Sequence, residues 1–381
     1  MMRPTSLKRS AGFTLVEAMI GLALSSTIML GISQLFAANS QTYNMLMGQS
    51  AMQQSARFAL SNIGKSIQSS GYRGCFSSNT DVYKTFSKDL PYEYNIESPV
   101  LAYEGEPTAW NPDIEAILPK TIGTTDTNVY KDQVLGKNTG INTAAIINGT
   151  DIITLNYVAK KKHQLSVDMV TSIEEVQLET QNYDFATDYL AHISDCEKQT
   201  VFRVTGFSGD LKIQHDSVPD SSNPANQYTN DFTRLAEFNT FGTEDTIVSA
   251  IASDTYYIAP SANTNKSGQN ILSLWRKSGI RVPTELVDGV EDLQIKYGID
   301  TNNDNVPNKY VDADEVTDFF TVRAIRISIV ANSIDDVGAS APPTHGCIAD
   351  GGRQFCKTGV LFDGMLRRRF TETIALRNRQ S

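Results

Sequence analysis

"RSAGFTLVEA", residues 10–19, sets one carboxylate, Glu17, at the head of an apolar stretch and directly behind a short basic leader. After Glu17 the next charged side chain is Arg57, and residues 18–36 read AMIGLALSSTIMLGISQLF. The hydrocarbon core of a bilayer takes about 20 mostly apolar residues at ~1.5 Å rise each. Residues 13–38 supply them, with small hydroxyls and Gln34 as the polar interruptions. One long helix therefore leads the chain, and the rest hangs from it. A lone carboxylate in such a segment costs roughly 2.5–3.5 kcal/mol to insert, so Glu17 calls for a partner.

Three readings of this N-terminus compete. A Sec-type signal peptide has an apolar core without a carboxylate and a small-residue cleavage site, a pattern that Ala38-Asn39-Ser40 fits poorly. A plain membrane anchor explains the length and the basic flank of Arg3, Lys8 and Arg9, but leaves Glu17 without a reason. In the third, residues 1–12 are a leader cleaved between Gly12 and Phe13, and the new amine of Phe13 and the carboxylate of Glu17 become complementary charges. "GFTLVE" behind a short basic leader resembles the class III signal of type IV pilins and of the pseudopilins of type II secretion. That resemblance implies a prepilin peptidase that cuts after Gly12 and methylates Phe13, and a Glu17 that pairs with the N-terminal amine of a neighbouring subunit. Opposite charges ~4 Å apart attract by about 4 kcal/mol at an effective dielectric of 20, comparable with the insertion cost.

Charge agrees with an exported body. The 381-residue chain carries a formal net charge of -10, which becomes -13 once the leader with its three cations is removed. Such an acidic chain, with no basic stripe interleaved with aromatics, is a poor match for nucleic acid. Cations before the apolar stretch and none until Arg57 place the helix N-terminus in the cytoplasm and the body in the periplasm, with the chain held at the inner membrane before it joins a fibre.

Beyond the bilayer the helix is expected to continue to residue 70. Met52, Ala56, Ala59/Leu60, Ile63 and Ile67 recur at helical spacing and read as a core stripe, and Ser69-Ser70-Gly71 offers a stop. Residues 71–381 then form the globular part. "DIITLNYV" (151–158), "TVFRVTGF" (200–207), "TIVSAIAS" (246–253), "VEDLQIKY" (290–297), "AIRISIVAN" (324–332) and "RFTETIALR" (369–377) read as strands. Residues 120–150, 215–230 and 260–270, rich in turn formers, read as loops. The expected class is α+β, a long N-terminal helix on an antiparallel β-rich domain with room for two β-subdomains.

Toward the C-terminus, "VDGVEDLQIKYGIDTNNDN" (287–305), "VRAIRISIVANS" (322–333) and "LRRRFTETIALRNR" (366–379) resemble PilW-type minor pilins, leaving residues 80–280 unmatched. The resemblance implies a subunit that helps initiate a type IV pilus at or near its tip, with twitching motility and adhesion as the outputs of such a fibre. It implies as partners the other minor pilins, the major pilin, the prepilin peptidase and a PilY-type tip adhesin. Two alternatives stay open: a type II secretion pseudopilin, with the same N-terminal chemistry, and a membrane-tethered binding or adhesion domain using the unmatched middle.

Four cysteines in a chain routed to an oxidising compartment read as disulfides. The simplest pairing joins Cys347 to Cys356 across a Gly-rich loop and leaves Cys75 for Cys196; a zinc site would need tighter Cys/His spacing, which His345 does not supply. In "DTNNDNVPNKYVDADE" (300–315), Asp300, Asn302, Asp304, the Val306 carbonyl and Asn308 fall at positions 1, 3, 5, 7 and 9 of a calcium-type loop. Asn305 stands where such loops carry Gly, Val311 stands where they carry Glu, and Asp312 or Asp314 would have to substitute. The alternative is a solvated acidic hairpin loop. No nucleophile elbow, phosphate-binding glycine loop or paired metal-binding histidines occur, so catalysis is not expected, and His163, His192, His215 and His345 read as surface or satisfied polar residues. "AKKKHQ" (159–164) reads as a basic turn after a strand.

Overall fold

The structure is a computed structural model. It describes residues 14–76, 83–84, 98–105, 110–111, 146–147, 149–171, 174–181, 185–187, 189–215, 241–279, 283–339, 347–350, 353–356 and 364–379. The leader with Gly12 and Phe13, most of the loops expected over 120–150 and 215–230, and His345 lie outside the described residues.

Helix α1 runs from Leu15 to Ser69. Its upper part, residues 15–47, is exposed throughout, including Leu15, Val16, Met19, Leu22, Leu24, Ile28, Met29, Leu35 and Phe36. From Gly48 onward burial becomes periodic: Met52, Ala56, Ala59, Leu60, Ile63 and Ile67 are all inside. Gly48 marks the change because a Cβ there would come within 2.7 Å of the Val337 side chain, so only glycine allows the helix this close. The helix stops where Ser70 leaves helical geometry and Gly71 enters the left-handed region at φ 74°, its N–H donating 2.9 Å to the Asn156 carbonyl.

The helix packs on an antiparallel β body, the α+β arrangement read from the sequence. The principal strands are β1 (Val100–Gly105), β2 (Ile152–Val158), β3 (Leu190–Ser194), β4 (Gln199–Arg203), β5 (Ile247–Thr264), β6 (Asn270–Ser278), β7 (Thr284–Asp288), β8 (Val290–Ile299), β9 (Lys309–Val311), β10 (Val322–Asn332) and β11 (Arg367–Ala375). The long strand β5 is the trunk of the larger sheet. It pairs with β3 over Ile247–Ala250, with β2 over Ile251–Tyr256 and with β6 from Asp254 onward. The 260–264 segment, expected as loop, is thus strand. Pro260 is tolerated there because the ladder to β2 ends at Tyr256, so its missing N–H removes no bond on that side.

The second sheet has the order β9-β8-β10-β11, all antiparallel. Between β7 and β8 the chain turns at Gly289, φ 78°, where a Cβ would lie 2.8 Å from the Ile334 side chain. One apolar core joins the α1 stripe to residues of β1, β2, β5 and β6 and to the inner face of the second sheet, including Leu293, Ile295, Ile325, Ile327 and Ile329. A separate core of Leu165, Val176, Leu178, Ile193, Phe202, Ile213, Phe241 and Val248 lies away from the helix. Each buried Ile or Leu contributes roughly 1.5–3 kcal/mol, an upper estimate since denatured chains are partly collapsed.

Candidate functional site

The functional part of a helix-led chain is expected at the helix, beginning at its N-terminal end. Thr14 is the N-cap: its hydroxyl accepts from Glu17 N–H at 3.3 Å, and its own N–H donates to Glu17 Oε2 at 3.1 Å. The Thr14 hydroxyl also donates to Glu17 Oε2 at 3.0 Å. This is a reciprocal capping box, spelled T-L-V-E in residues 14–17. Sequence reasoning left Glu17 with a partner on another chain only, and the signal it missed was the Thr three residues earlier.

Below the cap, the helix meets the requirements of a membrane span by length and composition, and its most apolar window is wholly unburied by the body. Serine and threonine hydroxyls within it bond back to the helix's own carbonyls, as Ser25 does to Leu22 and Ser33 to Met29, and so present no unsatisfied group to an apolar surrounding.

The lower helix is tied to the body by a buried polar knot. Ser66 Oγ donates to Asp254 Oδ2 at 2.8 Å and shares a 2.8 Å bond with the Tyr256 hydroxyl. Tyr157 donates to the same Asp254 oxygen at 2.7 Å, and Ser278 to its Oδ1. Burial and the neighbouring carboxylate push the Tyr256 phenol up to about 12 and raise that of Tyr157 as well, so both stay protonated and serve as donors. Helix α1 and strands β2, β5 and β6 thus converge on one carboxylate. A second carboxylate, Asp151, joins the two sheets by accepting from Gly105 N–H at 2.8 Å and from Ile295 N–H at 2.6 Å. Burial and the nearby Glu104 raise its carboxyl well above the usual range, against the lowering effect of those two N–H groups. Neither role was legible in the sequence, because nothing local distinguishes these aspartates from solvated ones.

Cys75 and Cys196 are joined by a disulfide, with Cα atoms 5.3 Å apart. It fixes the segment after the helix to the β3–β4 turn, where Cys196 takes a left-handed φ of 68°. Cys347 and Cys356 stand opposite each other in a two-stranded hairpin, Cys347–Asp350 with Arg353–Cys356. Only the backbone of that hairpin is described.

The 300–308 loop connects β8 to β9. Asn305, at the position where calcium loops carry glycine, has a left-handed φ of 63°. The carboxylate oxygens are engaged within the loop: Asp300 accepts from Asn302 N–H at 3.2 Å and Asn305 N–H at 2.8 Å, and Asp304 from Val306 N–H at 2.8 Å and the Asn302 amide at 3.0 Å. Burial would raise the Asp300 carboxyl, and the loop's backbone N–H groups outweigh it and hold the group below its ordinary range. The Arg323 guanidinium lies 3.5 Å from Asp300, the Asn308 side chain takes Thr301 N–H at 2.9 Å, and Asp312 points to Lys296 at 2.7 Å. The structure therefore gathers Asp300, Asn302, Asp304 and Asn308 in one loop and sends Asp312 elsewhere. Asp314 sits in a short 3₁₀ turn beyond it, and Val306 is exposed. Among the described residues, no cluster of three or more His, Cys, Asp or Glu side chains forms a metal-ligand set.

His163, His192 and His215 are buried and each holds a hydrogen bond, to Thr180, Gln199 and the Glu174 carbonyl respectively. They are satisfied polar residues, as expected from the lack of metal spacing.

With this geometry in place, two family comparisons fit its two ends. Residues 7–33 match the prokaryotic N-terminal methylation motif, and the exposed apolar helix carries that match. Together the two matches support a type IV pilus-related pilin as the class. Residues 255–378, which hold the latter part of β5 and all of the second sheet, match the family described as Type IV Pilus-assembly protein W, so the chain is similar to a PilW-type pilin. No curated protein matches the chain.

Proposed function

We propose that the chain is a minor pilin that takes part in initiating a type IV pilus at or near its tip. The observation that carries the reading is a single helix with two environments: an unburied apolar upper part with a carboxylate at its head, continuous with a lower part locked into a β body. Exposing that many large apolar side chains in water is unfavourable, so the upper helix belongs first in the inner membrane and then among the helices of a fibre, with the body on the periplasmic side. In this reading the peptidase cuts between Gly12 and Phe13, Phe13 is N-methylated, and Glu17 meets the N-terminal amine of a neighbouring pilin. Other minor pilins, the major pilin and a PilY-type tip adhesin are its partners. The Cys347–Cys356 pairing is part of the same proposal, supported by the direct opposition of the two residues in the hairpin.

Mass spectrometry of the chain purified from membranes tests the processing step. The expected N-terminus is methylated Phe13; an intact leader, or a new terminus near residues 39–41, overturns it.

A further inference from the structure

Strand β11 is the edge of the second sheet. It pairs with β10 from Arg367 opposite Asn332 to Ala375 opposite Ala324, and among the described residues no strand pairs with its other side. Arg368, Thr371, Glu372, Thr373 and Ala375 along it are exposed. Between this edge and α1 lies a groove of about 730 Å³, lined among others by Gln53, Arg57, Lys65, Arg368, Phe370 and Glu372. In a chain of net charge -10 the groove holds three cations against one carboxylate, and among the described residues Arg57, Lys65 and Arg368 have no carboxylate within ion-pairing distance.

We infer that the open edge of β11 and the cationic groove beside it dock an extended acidic strand from a partner protein. An open edge offers outward N–H and C=O groups that a guest strand can satisfy, and side-chain alternation sets which guest residues face the groove. Guest residues on that face meet Arg57 and Arg368, which select carboxylates. A second copy of β11 laid parallel and in register is disfavoured by the same charges, because it would set one Arg367-Arg368-Arg369 run against another; an antiparallel copy is left to the test below. The cations thus oppose parallel self-pairing and attract the acidic guest. The inference goes beyond the assembly reading and stands on the strand edge and its charges whichever fibre the chain joins.

The test uses the full chain in detergent micelles and three short peptides: one alternating Glu and Thr, one alternating Lys and Thr, and the Glu–Thr peptide N-methylated at alternate backbone nitrogens. Affinity is read by fluorescence polarisation and the edge by amide hydrogen exchange along β11. The Glu–Thr peptide is expected to bind, to weaken with salt, and to slow exchange of β11 amides, whereas the other two bind at least tenfold more weakly. Arg57→Glu with Arg368→Glu is expected to lose at least tenfold and to favour the Lys–Thr peptide, and the Gln pair at the same positions to fall between, with unchanged thermal unfolding as the folding control. Equal binding of the Lys–Thr or N-methylated peptide, or binding indifferent to the reversal, overturns the inference. So does β11 protection that appears without peptide and grows with protein concentration, which assigns the edge to a second copy.

Discussion

At the residue scale Glu17 has two separable duties. Within the chain it closes a capping box with Thr14 through Oε2, a geometry that a neutral amide oxygen can also accept, more weakly than a carboxylate. Between chains its proposed duty needs the charge. The box was legible in T-x-x-E, and the chain-to-chain duty in the isolation of a carboxylate before an apolar run; neither signal excludes the other. The 300–308 loop shows the limit of spacing. Alternate oxygens at 300, 302 and 304 are as suited to receiving their own backbone N–H groups as to a cation, and the guanidinium beside Asp300, that of Arg323, is remote in sequence. A cation would have to compete with that guanidinium at Asp300 and with Lys296 at Asp312. The expected result is that millimolar calcium leaves the thermal midpoint of the chain unchanged. A calcium-dependent rise that Asp304→Ala abolishes would restore the cation loop, since a ligand of the folded state stabilises it by mass action.

At the element scale the helix was the most legible part, because Met52 to Ile67 keep one period and one partner surface. Strands with clean alternation, such as β8 and β10, were equally visible. The latter half of β5 was not, since Pro260, Ser261 and Asn263 read as loop and only pairing with β6 makes them strand. Short strands such as β3, "LAHIS", carry too little pattern to register alone. Least visible was the Asp254 knot that fixes the helix to the sheet, assembled from residues 66, 157, 254, 256 and 278. Asp254→Ala strips the acceptor from three hydroxyl donors, and a buried donor left unsatisfied costs about 1–3 kcal/mol. With part of that recovered by rearrangement, a loss of roughly 3 kcal/mol is expected in denaturant unfolding of the full chain in detergent, and hydrogen exchange should quicken in the last turns of α1. A change within about 0.5 kcal/mol would show that the apolar stripe alone holds the helix.

At the scale of the whole molecule, pH acts on the body through a group far from the helix head. Burial pushes the His192 imidazole down to about 4, partly opposed by its bond to Gln199 and aided by nearby Arg73. The folded value lies below the ordinary ~6.5, so the unfolded chain takes up the proton first. The stability due to neutral His192 is therefore complete above pH ~6.5 and is lost as pH falls toward about 4, at up to ~1.4 kcal/mol per unit. Asp151, whose carboxyl is raised, acts with the opposite sign: its contribution is present at low pH and lost as pH rises through its folded value. The difference between wild type and His192→Asn isolates the histidine. The variant is expected to lose less stability than wild type between pH 6.5 and 4, and parallel pH profiles would contradict this. Assembly itself is tested most directly at the other end of the molecule, by crosslinking to partner pilins in membranes with three variants of known processing. Glu17→Gln keeps an acceptor for Thr14 and removes the charge, Thr14→Ala removes the cap and keeps the charge, and Glu17→Leu removes both. The account predicts that Glu17→Gln fails to crosslink and to enter fibres as completely as Glu17→Leu, whereas Thr14→Ala assembles close to wild type; assembly by Glu17→Gln at wild-type levels would contradict it.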